Sequence, residues 1–135
     1  MARRYALDTG VLSLHVDGDL RVRPFMDEVA RGGAEGIVTD LTLMEFQYKL
    51  CQTAGTKMAE THGKRIRSSR LRIVHSFPYL ELAWRLKCKH RSRFSLADCV
   101  LLAVAQVHAC RILTTDGAFA DLREPRVSVQ VLPVT

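Results

Sequence analysis

The chain has 135 residues, enough for one well-buried core, and its 47% hydrophobic and 25% charged content is ordinary for a globular domain. A net charge of +6 and a pI near 9.5 favour polyanionic partners, nucleic acid first among them. Four cysteines without a C-x-x-C pair argue against a zinc or disulfide framework, and the longest apolar run, Cys99 to Val107, is too short and too interrupted by Gln106 to span a bilayer. Arg3 and Arg4 meet Asp8 after a very short apolar stretch, which does not make a signal peptide. A cytoplasmic protein is expected, with Cys51, Cys88, Cys99 and Cys110 as reduced, buried thiols.

In chain order, Tyr5 to Leu7 reads as a short strand that runs into the turn or helix start Asp8-Thr9-Gly10. Val11 to Val16 is a short helix. Val22, Phe25, Met26, Val29 and Ala30 recur at helical spacing and are stopped by Gly32-Gly33. Gly36 to Thr39 reads as a buried strand, and Leu41 to Cys51 as a helix carrying Glu45. Residues 55–70, rich in Lys, Arg and Ser, read as an exposed helix with a mobile end. Leu71 to His75 is a strand, Pro78 opens a helix through Lys89, and Ser95 to Ala109 is a strongly apolar helix. Arg111 to Thr114 and Val127 to Leu132 complete the strands. The alternation implies an α/β chain, a single domain over residues 1–135, with a mostly parallel sheet of roughly four to five strands covered by helices on both faces. Sites in such sheets lie outside the carboxyl ends of the strands.

Four acids border or enter apolar runs: Asp8, Glu45, Asp98 and Asp116. A lone carboxylate drawn toward a core is costly unless neutralised, paired or coordinated. Each also has a plain structural role. Asp8 can cap a helix, Glu45 can form a capping box with Thr42, Asp98 follows Ser95 in an [ST]-x-x-[DE] signature, and Asp116-Gly117 is a turn dipeptide. Those roles leave oxygens free. Gathered at one sheet edge, the four would repel one another, and a hard divalent cation is the natural remedy.

The chain resembles the PIN-domain ribonucleases, in the small form that serves as the VapC toxin of VapBC toxin–antitoxin pairs. The residues that carry the likeness are Leu7-Asp8-Thr9 with Val11-Leu12, Glu45 in Leu43-Met44-Glu45-Phe46, Ser95-Leu96-Ala97-Asp98 opening an apolar helix, and Leu113-Thr114-Thr115-Asp116 with Phe119. The resemblance implies a PIN-like sandwich and an endoribonuclease whose Asp8, Glu45, Asp98 and Asp116 bind Mg²⁺ or Mn²⁺, leaving 5′-phosphate and 3′-hydroxyl ends. It also implies a small antitoxin partner and a homodimer. Thr9, Ser95 and Thr115 would orient carboxylates or water from behind. The family often carries a further acid two residues after the fourth, where this chain has Ala118; Asp121 is near but out of register.

Two basic clusters accompany the acids: Lys57, Lys64, Arg65, Arg67, Arg70 and Arg72, then Arg85, Lys87, Lys89, Arg91 and Arg93. The second leads directly into Asp98, so Lys89, Arg91 and Arg93 are candidate RNA contacts. Trp84, Phe94, Phe77 and Tyr79 are expected in the core rather than stacked on bases. The five histidines share no ligand spacing. Two alternatives stay open: an RNA-processing nuclease without an antitoxin, and a catalytically silent binding module.

Overall fold

The structure is a computed structural model that describes residues 3–133. Its sheet contains β1 (Arg3–Leu7), β2 (Ala34–Thr39), β3 (Arg72–Val74), β4 (Arg111–Thr114) and β5 (Ser128–Val131). Helices α1 (Thr9–Val16), α2 (Arg23–Ala30), α3 (Asp40–Ala54), α4 (Thr56–Ser68), α5 (Leu80–His90) and α6 (Leu96–His108) connect them. The strand order is β3-β2-β1-β4-β5, and every neighbouring pair is parallel. The α/β sandwich expected from the sequence is present, with a sheet that is wholly parallel.

Alternation along the strands divides the core in two. Ala6, Ile37, Val74 and Ile112 face Ala83 and Leu86 of α5 and the apolar run Cys99 to Ala105 of α6. Tyr5, Leu7, Val38 and Leu113 face Val11, Leu12, Met26, Val29, Leu43, Phe46 and Ile66, from α1 to α4. Burial on both faces explains why Ile37-Val38 and Ile112-Leu113 read as unbroken apolar pairs.

Right-handed crossovers fix the rest. The chain steps from β1 to β2 to β3 with α1–α4 on one face. It then returns over the other face, through α5 and α6, to lay β4 against the free side of β1. Strand order therefore reverses between β1 and β4, which opens a crevice at their carboxyl ends. Leu7 pairs with Leu113 there, and the Asp8 amide donates to the Leu113 carbonyl at 3.0 Å.

Several local expectations differ. Pro78 lies in a 3₁₀ turn, Phe77–Tyr79, and α5 starts only at Leu80. The helix over 55–70 is α4, whose Ala59, Gly63 and Ile66 are buried. Gly63 permits this, because a Cβ there would stand 2.0 Å from the Gln47 amide of α3. Of the four aromatic side chains expected inside, Phe94 is buried and Tyr79 packs at the edge of the core. Phe77 and Trp84 are exposed, since the outer face of α5 and its preceding turn meets no other element among the described residues. All four cysteines are free thiols, Cys99 and Cys110 buried, Cys51 half-buried and Cys88 exposed on α5.

The Phe94 and Phe119 rings stack at 4.6 Å between centroids, joining the segment before α6 to the turn after β4. Phe119→Ala is expected to cost about 3–5 kcal/mol, read as a lower urea midpoint at unchanged slope. Phe77→Ala, at a side chain 81% exposed, should stay within about 0.5 kcal/mol of wild type.

Candidate functional site

The two inner acids follow adjacent strands. Asp8 stands directly after β1 and caps α1, its Oδ1 accepting from the Thr9 amide at 2.8 Å. Its Oδ2 accepts from the Thr114 hydroxyl at 2.7 Å. That hydroxyl also accepts from the Asp116 amide at 2.9 Å, so one buried threonine at the end of β4 joins both acid-bearing turns. Asp116 caps the 3₁₀ turn Gly117–Phe119 through the Ala118 amide at 2.9 Å.

The other two acids arrive on helices that start at the same edge. Ser95 and Asp98 form a reciprocal capping box at α6: the Ser95 hydroxyl accepts from the Asp98 amide and Asp98 Oδ2 accepts from the Ser95 amide, each at 3.1 Å. Helix α3 is capped by Thr39, which accepts from the Thr42 amide at 3.0 Å. Glu45 therefore lies in the second turn, and the capping box with Thr42 is replaced by a longer reach. Its Oε1 accepts from the Thr9 hydroxyl at 2.6 Å and lies 3.9 Å from Lys49 Nζ.

All four acids line one cavity of about 240 Å³, with Thr9, Gly10, Lys49, Ser95 and Thr115. Gly10 is required by close approach, because a Cβ there would stand 2.1 Å from the Thr115 hydroxyl. Burial is the main cause that raises the Asp8 carboxyl above the ordinary carboxylate range, with Glu45 and Asp116 adding repulsion against the Thr114 and Thr9 hydrogen bonds. Burial likewise raises Asp98, and the charges of Asp8 and Asp116 add to it.

The donor set is entirely oxygen, carboxylates with hydroxyls behind them, which is the chemistry of a hard divalent ion. Among the described residues no three Asp, Glu, His or Cys side chains stand close enough to grip one ion together. The wall is a cup rather than a ready cage. Mg²⁺ suits such a wall, because it binds through one or two carboxylates and retains water.

Sequence reasoning named Thr9, Ser95 and Thr115 as supporting hydroxyls and missed Thr114, the one that bonds Asp8. It also passed over Lys49 and Gly10. The candidate RNA contacts are differently placed. Lys89 Nζ lies 2.8 Å from Glu124, whose side chain is nearly sealed and also meets His90 Nε2 at 2.7 Å. Arg93 is held by Asp121 and by the Ala118 carbonyl, and Arg91 is exposed with a left-handed backbone, φ 55°. Asp121, the acid near the Ala118 position, is thus engaged with Arg93.

A family model described as PIN domain matches residues 5–125. Among curated proteins none matches the chain in sequence. The fold is similar to that of VapBC2 from Rickettsia felis, solved with a promoter DNA fragment, at a TM-score of 0.72 and 17% identity over 96% of this chain and 98% of that one. It is also similar to Mycobacterium tuberculosis VapC20, a sarcin-ricin loop cleaving toxin, at a TM-score of 0.69 and 22% identity over 86% and 92%. VapBC from Salmonella typhimurium, solved bound to DNA, gives 0.72 and 14% over 97% and 98%. At these identities the likeness is one of fold. The family model runs from β1 to the segment before β5 and takes in all four carboxylates of the cup, and the chain belongs to the PIN domain family.

Proposed function

We propose that this chain, a single PIN-like domain over residues 1–135, is a Mg²⁺- or Mn²⁺-dependent endoribonuclease and the toxin of a toxin–antitoxin pair, cytoplasmic and paired with itself. The observation that carries the reading is the convergence of Asp8, Glu45, Asp98 and Asp116 on one oxygen-lined cavity at the strand-order reversal. A bound divalent ion would supply a Lewis acid for the phosphate and a more acidic water. The protein's own groups do the rest. Asp8 and Asp98, fixed by Thr114 and Ser95, would hold the ion, with Glu45 and Asp116 lining the same cavity from α3 and from the turn after β4. Thr9 orients Glu45, and Thr115, which lines the same cavity, would orient water there.

Arg91 is the candidate phosphate contact with the freest side chain in its group, whereas Lys89 and Arg93 would reach RNA only as members of ion pairs. The antitoxin reading draws on the VapBC complexes that share the fold. No helix among the described residues is long and apolar enough to cross a membrane.

Cleavage of RNA with Mg²⁺ or Mn²⁺, compared between wild type and Asp98→Asn, tests the activity. Wild type should give products with 5′-phosphate ends, and EDTA or Asp98→Asn should slow the reaction at least about 100-fold, since removal of a group that acts on transition-state charge has effects of that order. Cleavage indifferent to both would remove the nuclease reading.

The cluster also makes a stability prediction. In Asp98→Asn the new side-chain oxygen would retain the bond to the Ser95 amide, while the position sheds a charge that burial and two neighbouring acids oppose. Without metal at pH 7, Asp98→Asn should melt about 2–5 °C above wild type. The native state keeps the Asp98 proton to higher pH than the unfolded chain, so ionisation there lowers stability as pH rises. The variant's advantage should therefore vanish below about pH 4, the ordinary carboxylate value, grow between there and the raised native value, and level off above it. Mn²⁺ should reverse the order by stabilising wild type more. Calorimetric melting across pH, with and without Mn²⁺, reads all three effects.

A further inference from the structure

We infer that Lys49 is an exchangeable counter-ion: it neutralises Glu45 while the cup lacks metal and turns to an RNA phosphate once an ion takes the glutamate. The inference rests on the reading of the cup as a metal-dependent RNA site and assigns a role to the one cation that lines it among the described residues.

The geometry is that of a loose, replaceable pair. Lys49 lies four residues after Glu45 on α3, which puts both on one helix face. Its Nζ stands 3.9 Å from Glu45 Oε1, too far for a hydrogen bond, while the Thr9 hydroxyl holds the same oxygen at 2.6 Å. The Lys49 side chain is 60% exposed, so its ammonium keeps water and is weakly bound to the acid. A divalent ion brings twice the charge to the same oxygens and would displace it.

The displaced ammonium has somewhere to go. Lys49 also lines a second hollow of about 210 Å³, with Ser13, Asp17, Phe46 and Thr53, so its exposed stem has open space beside it outside the cup as well as within it. Its only ion-pair partner among the described residues is Glu45. Of the basic residues that precede α6, Lys89 and Arg93 are more firmly engaged, Lys89 by Glu124 at 2.8 Å and Arg93 by Asp121 and a backbone carbonyl. An ammonium with three donors on a flexible stem is a point charge suited to a phosphate oxygen. Lys49 therefore meets RNA phosphate from the α3 side of the cup, whereas Lys89, Arg91 and Arg93 stand in the segment that leads into α6.

Two affinities that should move in opposite directions test this. Mn²⁺ binding to the RNA-free protein is measured by calorimetry for wild type, Lys49→Met and Lys49→Arg. Binding of a short single-stranded RNA of mixed sequence is measured by anisotropy across KCl concentrations, with Ca²⁺ as the ion. Lys49→Met should bind Mn²⁺ about 2–5-fold tighter, as expected for loss of a weak exposed competitor. It should bind RNA more weakly, with a salt slope shallower by about 0.7, the loss of one phosphate contact on a single strand. Lys49→Arg should resemble wild type in both. Unchanged Mn²⁺ affinity in Lys49→Met, or weakening of both affinities together, overturns the exchange while leaving the metal site standing. Failure of wild type itself to bind Mn²⁺ removes the metal reading and the exchange with it.

Discussion

Four carboxylates that line one small cavity are the arrangement on which the rest of the structure depends, because charge of one sign is concentrated there and burial works against two of them, Asp8 and Asp98. The fold offsets that strain locally. Each acid is tied to a backbone amide or a hydroxyl: Asp8 by Thr9 and Thr114, Asp98 by Ser95, Asp116 by Ala118, Glu45 by Thr9. Three of the four sit where a helix or 3₁₀ turn begins, so exposed N–H groups and the positive helix end favour negative charge there. Capping and site formation are the same interactions here, and a helix cap is how the chain keeps acids close to one another. Burial, with a smaller share from neighbouring carboxylates, raises the Asp8 and Asp98 carboxyls, and a cation in the cup would relieve both.

The sheet topology supplies the location. Right-handed crossovers that fill one face and then the other force the strand order to reverse between β1 and β4. Asp8 and Asp116 follow those two strands, and the Thr114 hydroxyl spans the gap between them. Polar groups of β1, β4, α3 and α6 meet at that point because each element begins or ends at the same edge.

Much of this was legible in the sequence for a physical reason: an acid beside an apolar run stands out against the period of the run. Asp8 after Tyr5-Ala6-Leu7, and Asp98 before Cys99 to Ala105, are such interruptions. The strands, the helices and the gathering of four acids at one edge follow from that pattern. Thr114 was not legible, because threonine is common in strands and its side chain turns toward or away from Asp8 with a one-residue change of register. Lys49 was hidden by its ordinary helical spacing from Glu45. Exposure on α5 and the turn before it escaped too: Phe77, Trp84 and Cys88 look apolar in sequence, and only tertiary packing decides that this outer face is left uncovered.

The segments flanking the cup are unequal in their freedom. The stretch before α6 and the turn after β4 are laced together by Phe94 on Phe119, by Arg93 on Asp121 and the Ala118 carbonyl, and by His90 and Lys89 on Glu124. Lys87 adds bonds to the carbonyls of Arg91 and Phe94. Asp98 and Asp116 thus ride on what is mechanically one block, where an insertion or deletion would disturb both at once. The opposite bank, built from α1 and the outer turns of α3, carries no comparable lacing into the cup among the described residues beyond Thr9 and Lys49. Beyond Thr9, Gly10 and Glu45, which line the cup, that bank can exchange side chains without moving Asp98 or Asp116.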